Sequence, residues 1–275
     1  MAEADDIKRN DSGPRDSGPR GSYSAPALEK GFDVVELLAT EPAGLTISEI
    51  AARLGLSISQ IFRMIVVMER RGWLLKERES DRYRVSYKVL ELAYRATPAQ
   101  ELAHVATPIM FALSQSSEQS CQLVVRTGDQ AIVVQRQESP RPIGLAVRLG
   151  TAVDLVASCS GHVLLAFGDQ ERLDETLNRL TYPKHLPKTA LRKMLETVRE
   201  RGFETMPSAR IEGVRDISYP IFGFNCRVVA ALTVPFLTFI DGSQRVAFEG
   251  LQEQLAAAAR AISEGLGCAF DSSDG

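Results

Sequence analysis

Two helix-start signals stand close together near the front of the chain. Thr46 and Glu49 in "TISEIAARLG" have the spacing of a capping box, and Ser57 and Gln60 in "SISQIFRMI" repeat it. Between them Gly55 follows Leu54, at the position where a left-handed residue ends a helix. The first helix keeps Ile47, Ile50, Ala51 and Leu54 on one face. The second carries Ile58, Ile61, Phe62, Ile65 and Val66, and Arg71-Gly72 closes it. Two short helices joined by a Gly-containing turn make the helix-turn-helix arrangement. The Ile/Phe stripe is expected to hold the second helix to its partners and leave its Ser, Gln and Arg side free.

Flanking elements complete a winged domain. "ALEKGFDVVELLAT" places Leu28, Phe32, Val35 and Leu38 on one helical stripe. "WLLKERESDRYRV" reads as two strands around the polar turn Glu79-Ser80-Asp81, with Arg78, Arg82 and Arg84 on or near this wing. The local charge suits nucleic acid: Arg53 to Lys88 holds nine Lys and Arg against four acids, although the 275-residue chain has a formal net charge of −3. The DNA-contact candidates are Arg53, Ser57, Ser59, Gln60 and Arg63, with Arg82 and Arg84 on the wing. N-terminal residues of a recognition helix face base edges, where Ser, Gln and Arg can hydrogen-bond. Ser57 and Gln60 also serve as caps, and wing arginines meet phosphate more often than bases.

The chain is long enough for about two domains. Residues 1–25 are Gly/Pro/Ser-rich and repeat "DSGPR" in tandem, the composition of a disordered tail. The winged domain spans 26–86, a linker helix 87–97 ends at Pro98, and a second domain fills 98–270. There a helix carries Leu102, Val105, Ala106, Ile109, Met110 and Leu113. "CQLVVR" and "AIVVQRQ" form a hairpin around Thr127-Gly128-Asp129, and "IGLAVRLG" suggests a further strand. Helical patterns follow at 160–179 and 188–201, then the strands "GVRDISYPIF" and "VVAALTVPF", then a helix with Leu251, Leu255, Ala258, Ile262 and Leu266. The fold class is α+β, with a mostly antiparallel sheet in the second domain.

Cys121, Cys159, Cys226 and Cys268 lie far apart without a CxxC pair, which suggests free thiols in a reducing compartment and no zinc site. No signal-peptide pattern opens the chain, and the longest apolar run, Val228 to Ile240, is short and contains Pro235. A cytoplasmic protein with no membrane partner is expected. Neither a Rossmann fingerprint nor a P-loop appears, so no cofactor is expected. Cys159 and His162 in "CSGH" lie one helical turn apart, as a nucleophile and base of a hydrolase or transferase would. That reading lacks a third group, since no motif positions Asp154, and lacks the glycines of a nucleophile elbow. Small residues at a helix start, lining a ligand cavity with free N–H groups, are the other reading.

In this order, "ALEKGFDVVELLA", "GLTISEIAARLGLSISQIFRMIVVMERRGWL", "YRVSYKVLELA", "LGTAVDLVASCSGHVLLAF", "RGF" and "GVRDISYPIF…VVAALTVP" resemble the IclR family of bacterial transcriptional regulators. The likeness runs from about Ala27 to Leu266. It departs at His162, where members often have Lys, and at Asn225-Cys226, where Gly is usual near the hairpin tip. The resemblance implies a winged helix-turn-helix, a helical linker and a ligand-binding domain related to GAF and PAS modules. It further implies a homodimer or dimer of dimers on a pseudo-palindromic double-stranded operator, controlling catabolic genes in response to a small organic acid or aromatic metabolite. Carried onto this chain, its effector site lies between the helix start after "LGT" and the last strands. That takes in Cys159 and Ser160, Val214 and Asp216, and Thr233 and Pro235, with Leu145 and Met206 as apolar walls. Strand alternation puts Val214, Asp216 and Ser218 on one face. Arg210 or Arg148 can pair with a ligand carboxylate, and Asp216 can accept from a ligand hydroxyl or amine. In the alternative, Asp216 pairs with Arg215 or Arg210 and touches no ligand.

Overall fold

The computed structural model describes residues 25–96 and 99–270. The expected tail, apart from Ala25, and the break at Pro98 lie outside the described residues. The chain divides into two compact units, up to Ala96 and from Thr97.

The first unit runs α1 (Pro26–Ala39), α2 (Ile47–Leu54), α3 (Ile58–Arg70), β1 (Leu74–Lys76), β2 (Tyr83–Val85) and α4 (Lys88–Ala96). Both capping residues act as the spacing predicts at α2: Glu49 N–H donates to Thr46 Oγ1 at 3.3 Å, and Thr46 N–H donates to Glu49 Oε2 at 2.8 Å. Gly55 then stops the helix at φ 66°, which a residue without Cβ adopts freely. β1 and β2 pair antiparallel as the wing, and Leu45 bridges to Tyr83. Gly44 makes that approach possible, because a Cβ there would meet Tyr83 O and Arg84 Cγ at 2.7 Å. Val34, Leu38, Leu45, Ile50, Ile61, Ile65, Leu74 and Tyr83 form the core.

Two apolar stripes are narrower than expected. On α1 only Leu38 of the four-residue stripe is buried, joined by Val34, while Leu28 and Phe32 stay 59% and 57% exposed. On α3 only Ile61 and Ile65 are buried; Ile58, Phe62 and Val66 are 51%, 50% and 41% exposed. Five apolar side chains spread over about 140° of an α-helix, and so small a core covers only one edge of that arc.

The second unit is a three-layer sandwich. Its antiparallel sheet has the order β5-β4-β3-β8-β7-β6, from β3 (Cys121–Thr127), β4 (Gln130–Gln137), β5 (Ala152–Val153), β6 (Glu204–Pro207), β7 (Val214–Phe222) and β8 (Val228–Leu237). One face packs on α5 (Ala99–Ser117) and α9 (Phe248–Gly265). The other carries α6 (Cys159–Ala166), α7 (Leu173–Arg179) and α8 (Lys188–Arg201). Period-two alternation sorts the residues: along β8, Ala230, Leu232, Val234 and Phe236 enter the α5/α9 core, while Ala231 enters the other. Among the described residues no helix is long and apolar enough to cross a membrane.

Several local expectations change here. "IGLAVRLG" forms no strand; Ala152 and Val153 after it pair with β4, and Gly150 N–H and the Thr151 carbonyl bond to Val133 of β4. The helical pattern at 160–179 divides at a turn into α6 and α7. β6, a four-residue strand, carried no alternation to announce it. Two of the four cysteines are not free thiols: Cys226, at the β7–β8 hairpin tip, is disulfide-bonded to Cys268 beyond α9, while Cys121 and Cys159 remain free and buried.

Candidate functional site

α3 offers the first unit's outward face. At about 100° per residue, Ser59, Arg63 and Arg70 project opposite Ile61 and Ile65; all three are exposed. Gln60 turns its side-chain oxygen back to accept the Ser57 N–H at 2.9 Å, and the Ser57 hydroxyl lies 3.0 Å from that of Ser59. Gln60 is therefore engaged as a cap, while Ser59 and Arg63 remain turned outward. Phe62 and Val66, expected in the packing stripe, are instead exposed on the side of Arg63. Apolar side chains so placed can meet thymine methyl groups. The clue was available, since the stripe held more apolar residues than one contact face can cover.

The remaining arginine candidates are held within the domain. Arg82 does not project from the wing; its guanidinium donates to Glu49 at 3.0 and 3.1 Å and to the Gly44 carbonyl at 2.7 Å. The Thr46 backbone bond and the Arg82 guanidinium hold the Glu49 carboxyl below its ordinary value. Arg84 pairs with Glu77 at 3.3 Å, and Arg53 with Glu41 at 3.3 Å. Lys76 pairs with Asp81 across the wing. Among the described residues, Arg78 on the wing turn makes no ion pair.

In the second unit a cavity of about 250 Å³ opens where the N-terminus of α6 meets the sheet. Cys159, Ser160, Asp216, Thr233, Pro235, Leu145 and Arg210 line it, as the sequence reading placed them. Met206 and Val214 do not line it. Val214 shares the strand face of Asp216 but lies buried at the strand end opposite Leu237, and Met206 sits on β6 beside Asp216. Arg148 is exposed and outside the lining. Gln122, Val147, Ser158 and Ser208 belong to the wall and were not foreseen.

Sheet register explains the polar floor. Gln122 on β3 pairs with Thr233 on β8, which pairs with Ser218 on β7, so three polar side chains cross three adjacent strands. The Ser218 and Thr233 hydroxyls lie 2.8 Å apart. Asp216 follows two residues along β7; burial raises its carboxyl above the ordinary value, against a lowering bond from the Ser208 hydroxyl. Neither Arg215 nor Arg210 pairs with it. Arg215 donates to Thr205 Oγ1 and lies over the Phe248 ring, and Arg210 reaches the Ala152 carbonyl at 3.4 Å. Ser158 caps α6 by accepting the Gly161 N–H, and Asp154 accepts the Val156 and Ala157 N–H groups.

Cys159 and His162 do not form a nucleophile–base pair. Burial pushes the Cys159 thiol well up, and the thiol donates to the Glu204 carbonyl at 3.2 Å. His162, fully buried, places Nδ1 3.1 Å from Glu204 Oε2 and Nε2 2.8 Å from the Val156 carbonyl. Arg201 and the Thr205 N–H also donate to Glu204. This buried cluster ties α6 and α8 to β6. Among the described residues no group of His, Cys, Asp and Glu is arranged to hold a metal.

Known proteins share this organisation. A domain described as "Bacterial transcriptional regulator IclR C-terminal" matches residues 94–264, and the "IclR helix-turn-helix domain" matches 27–78. The HTH-type transcriptional regulator KdgR of Escherichia coli is 29% identical over 252 residues, covering 89% of this chain and 94% of that protein. The crystal structure of an IclR homolog complexed with 4-hydroxybenzoate, from Microbacterium hydrocarbonoxydans, superposes with a TM-score of 0.73 at 26% identity, covering 87% of this chain and 98% of that one. The Thermotoga maritima IclR structure gives a TM-score of 0.65 at 26% identity, covering 88% and 98%. Both parts of the protein, the DNA-reading unit and the ligand-sized cavity unit, thus have their counterparts in one group, and the chain belongs to the IclR family of bacterial transcriptional regulators.

Proposed function

We propose that this regulator acts in the cytoplasm as a homodimer or dimer of dimers on a pseudo-palindromic operator, controlling catabolic genes in response to a small organic acid or aromatic metabolite. One observation carries the effector half of this reading: Ser160, 3% exposed, faces the cavity with a hydroxyl that makes no hydrogen bond among the described residues. That hydroxyl is open to the cavity rather than sealed in the core, so it is available to a ligand that enters there. The relative that holds 4-hydroxybenzoate, an aromatic acid, supports the ligand class.

Ser59 and Arg63 read base edges in this account, with Phe62 and Val66 against methyl groups, and Arg78 rather than Arg82 reaches phosphate from the wing. Two such helices read a palindrome when two-fold symmetry pairs them. The exposed face of Leu28 and Phe32 beside Met64 and Val67 supports that pairing, since a second copy would cover apolar surface that the lone domain leaves in water. Gel shifts of the full-length protein on the DNA flanking its gene, with and without candidate acids, test the proposal. A shift that no acid alters contradicts effector control; no preference for that DNA over random duplex contradicts operator recognition.

A further inference from the structure

The cavity contains a charge that the chain leaves unbalanced. Among the described residues Asp216 makes no ion pair, and its hydrogen-bond partner is the neutral Ser208 hydroxyl. The cations around it are directed elsewhere: Arg215 to Thr205 and the Phe248 ring, Arg201 to Glu204, Arg210 to the Ala152 carbonyl. A carboxylate withdrawn from water without a cation is costly, and a ligand that brings the cation removes much of that cost. A ligand hydroxyl would hydrogen-bond to Asp216 but leave the charge in place.

Other groups on the cavity wall suit an anion. Cys159 and Ser160 open α6, where backbone N–H groups have no intrahelical acceptor and the helix dipole is positive. The unpartnered Ser160 hydroxyl faces the same space, and Arg210 lies on its wall. The neutral Thr233 hydroxyl and Gln122 amide complete the polar lining. A cavity of about 250 Å³ suits a compact occupant rather than an extended one.

We propose that the effector is an amino acid or another compact amine-bearing carboxylic acid, its ammonium group on Asp216 and its carboxylate on Ser160 and the start of α6. This rests on the reading of the cavity as the effector site and narrows it, since hydroxy acids and nitrogen-free aromatic acids become the weaker ligands.

The test uses the full-length protein. The standard L-amino acids, 4-aminobutyrate and 4-aminobenzoate are screened by thermal shift beside 4-hydroxybenzoate and benzoate. The strongest amine-bearing binder is then compared by calorimetry with its hydroxy and des-amino counterparts. The expected result is that loss of the amine weakens binding roughly tenfold or more, and that Asp216→Asn reduces this preference to about threefold or less. If Asp216→Asn fails to fold, the wild-type ratio of amine to hydroxy counterpart decides alone. Equal binding of the counterparts, abolished by Ser160→Leu, overturns the amine assignment and leaves the cavity as the effector site. Binding untouched by Ser160→Leu places the ligand elsewhere and overturns both readings. A panel in which only nitrogen-free acids bind, or none does, also overturns the proposal.

Discussion

Arg63 and Arg82 show how one residue type divides between an outward face and a contact that holds the fold. Arg63 is exposed on α3, opposite the buried edge formed by Ile61 and Ile65, whereas Arg82 is bound to Glu49 and Gly44. Replacing Arg63 by Ala should cost about 1–3 kcal/mol of operator affinity and relax specificity at one position in each half-site. Arg82→Ala should instead lower the melting temperature, with little change in the salt dependence of DNA binding, because its guanidinium serves α2 rather than phosphate. Fluorescence anisotropy on operator and random duplexes, with parallel melts, separates the two. Unchanged affinities for Arg63→Ala would remove α3's outward face from recognition. The capping spacings identified α3 in the sequence, but not which of the domain's arginines were free. Arg82 and Glu49 are far apart along the chain, and nothing local announces their pairing.

At the scale of elements, legibility followed the range of the forces. Helices with caps and strands with alternation were readable, because both signals are local. β6 was not, since four residues at a sheet edge carry no period of their own, and "IGLAVRLG" misled because an apolar run can cover a cavity as well as extend a sheet. The cavity wall was largely placed by the family resemblance, with strand alternation only sorting its residues by face, whereas Gln122 required the β3–β8 register. The long-range contact of most consequence is the one joining α6 and α8 to β6 through Glu204. Burial would raise its carboxyl, but His162, the Thr205 N–H and Arg201 together hold it below the ordinary 4.5. A carboxyl lowered on folding stabilises the native state above its unfolded value and loses that contribution as pH falls through the folded one. The melting temperature should therefore fall steeply below pH about 4.5, and Glu204→Gln should be less stable at neutral pH with a shallower acid slope. Equal slopes in scans of both proteins would contradict this role.

For the whole molecule, the question is how a ligand in one unit alters DNA binding by the other. The apolar face of α5, with Leu102, Ala106, Met110 and Leu113, is buried in its own unit. A fragment of residues 25–96 contains its own core and should fold, but should bind operator far more weakly than the full chain, which should sediment as a dimer or larger at micromolar concentration. A monomer at that concentration would contradict two-fold reading of the operator. The account's central claim, that occupation of the α6 cavity controls operator binding, is tested most directly by an effector dose–response of operator affinity, measured by anisotropy in the full-length protein and in Asp216→Ala and Ser160→Leu. The account predicts that both variants bind operator as the wild type does and lose the response to the ligand. A wild-type dose–response in both variants would contradict it.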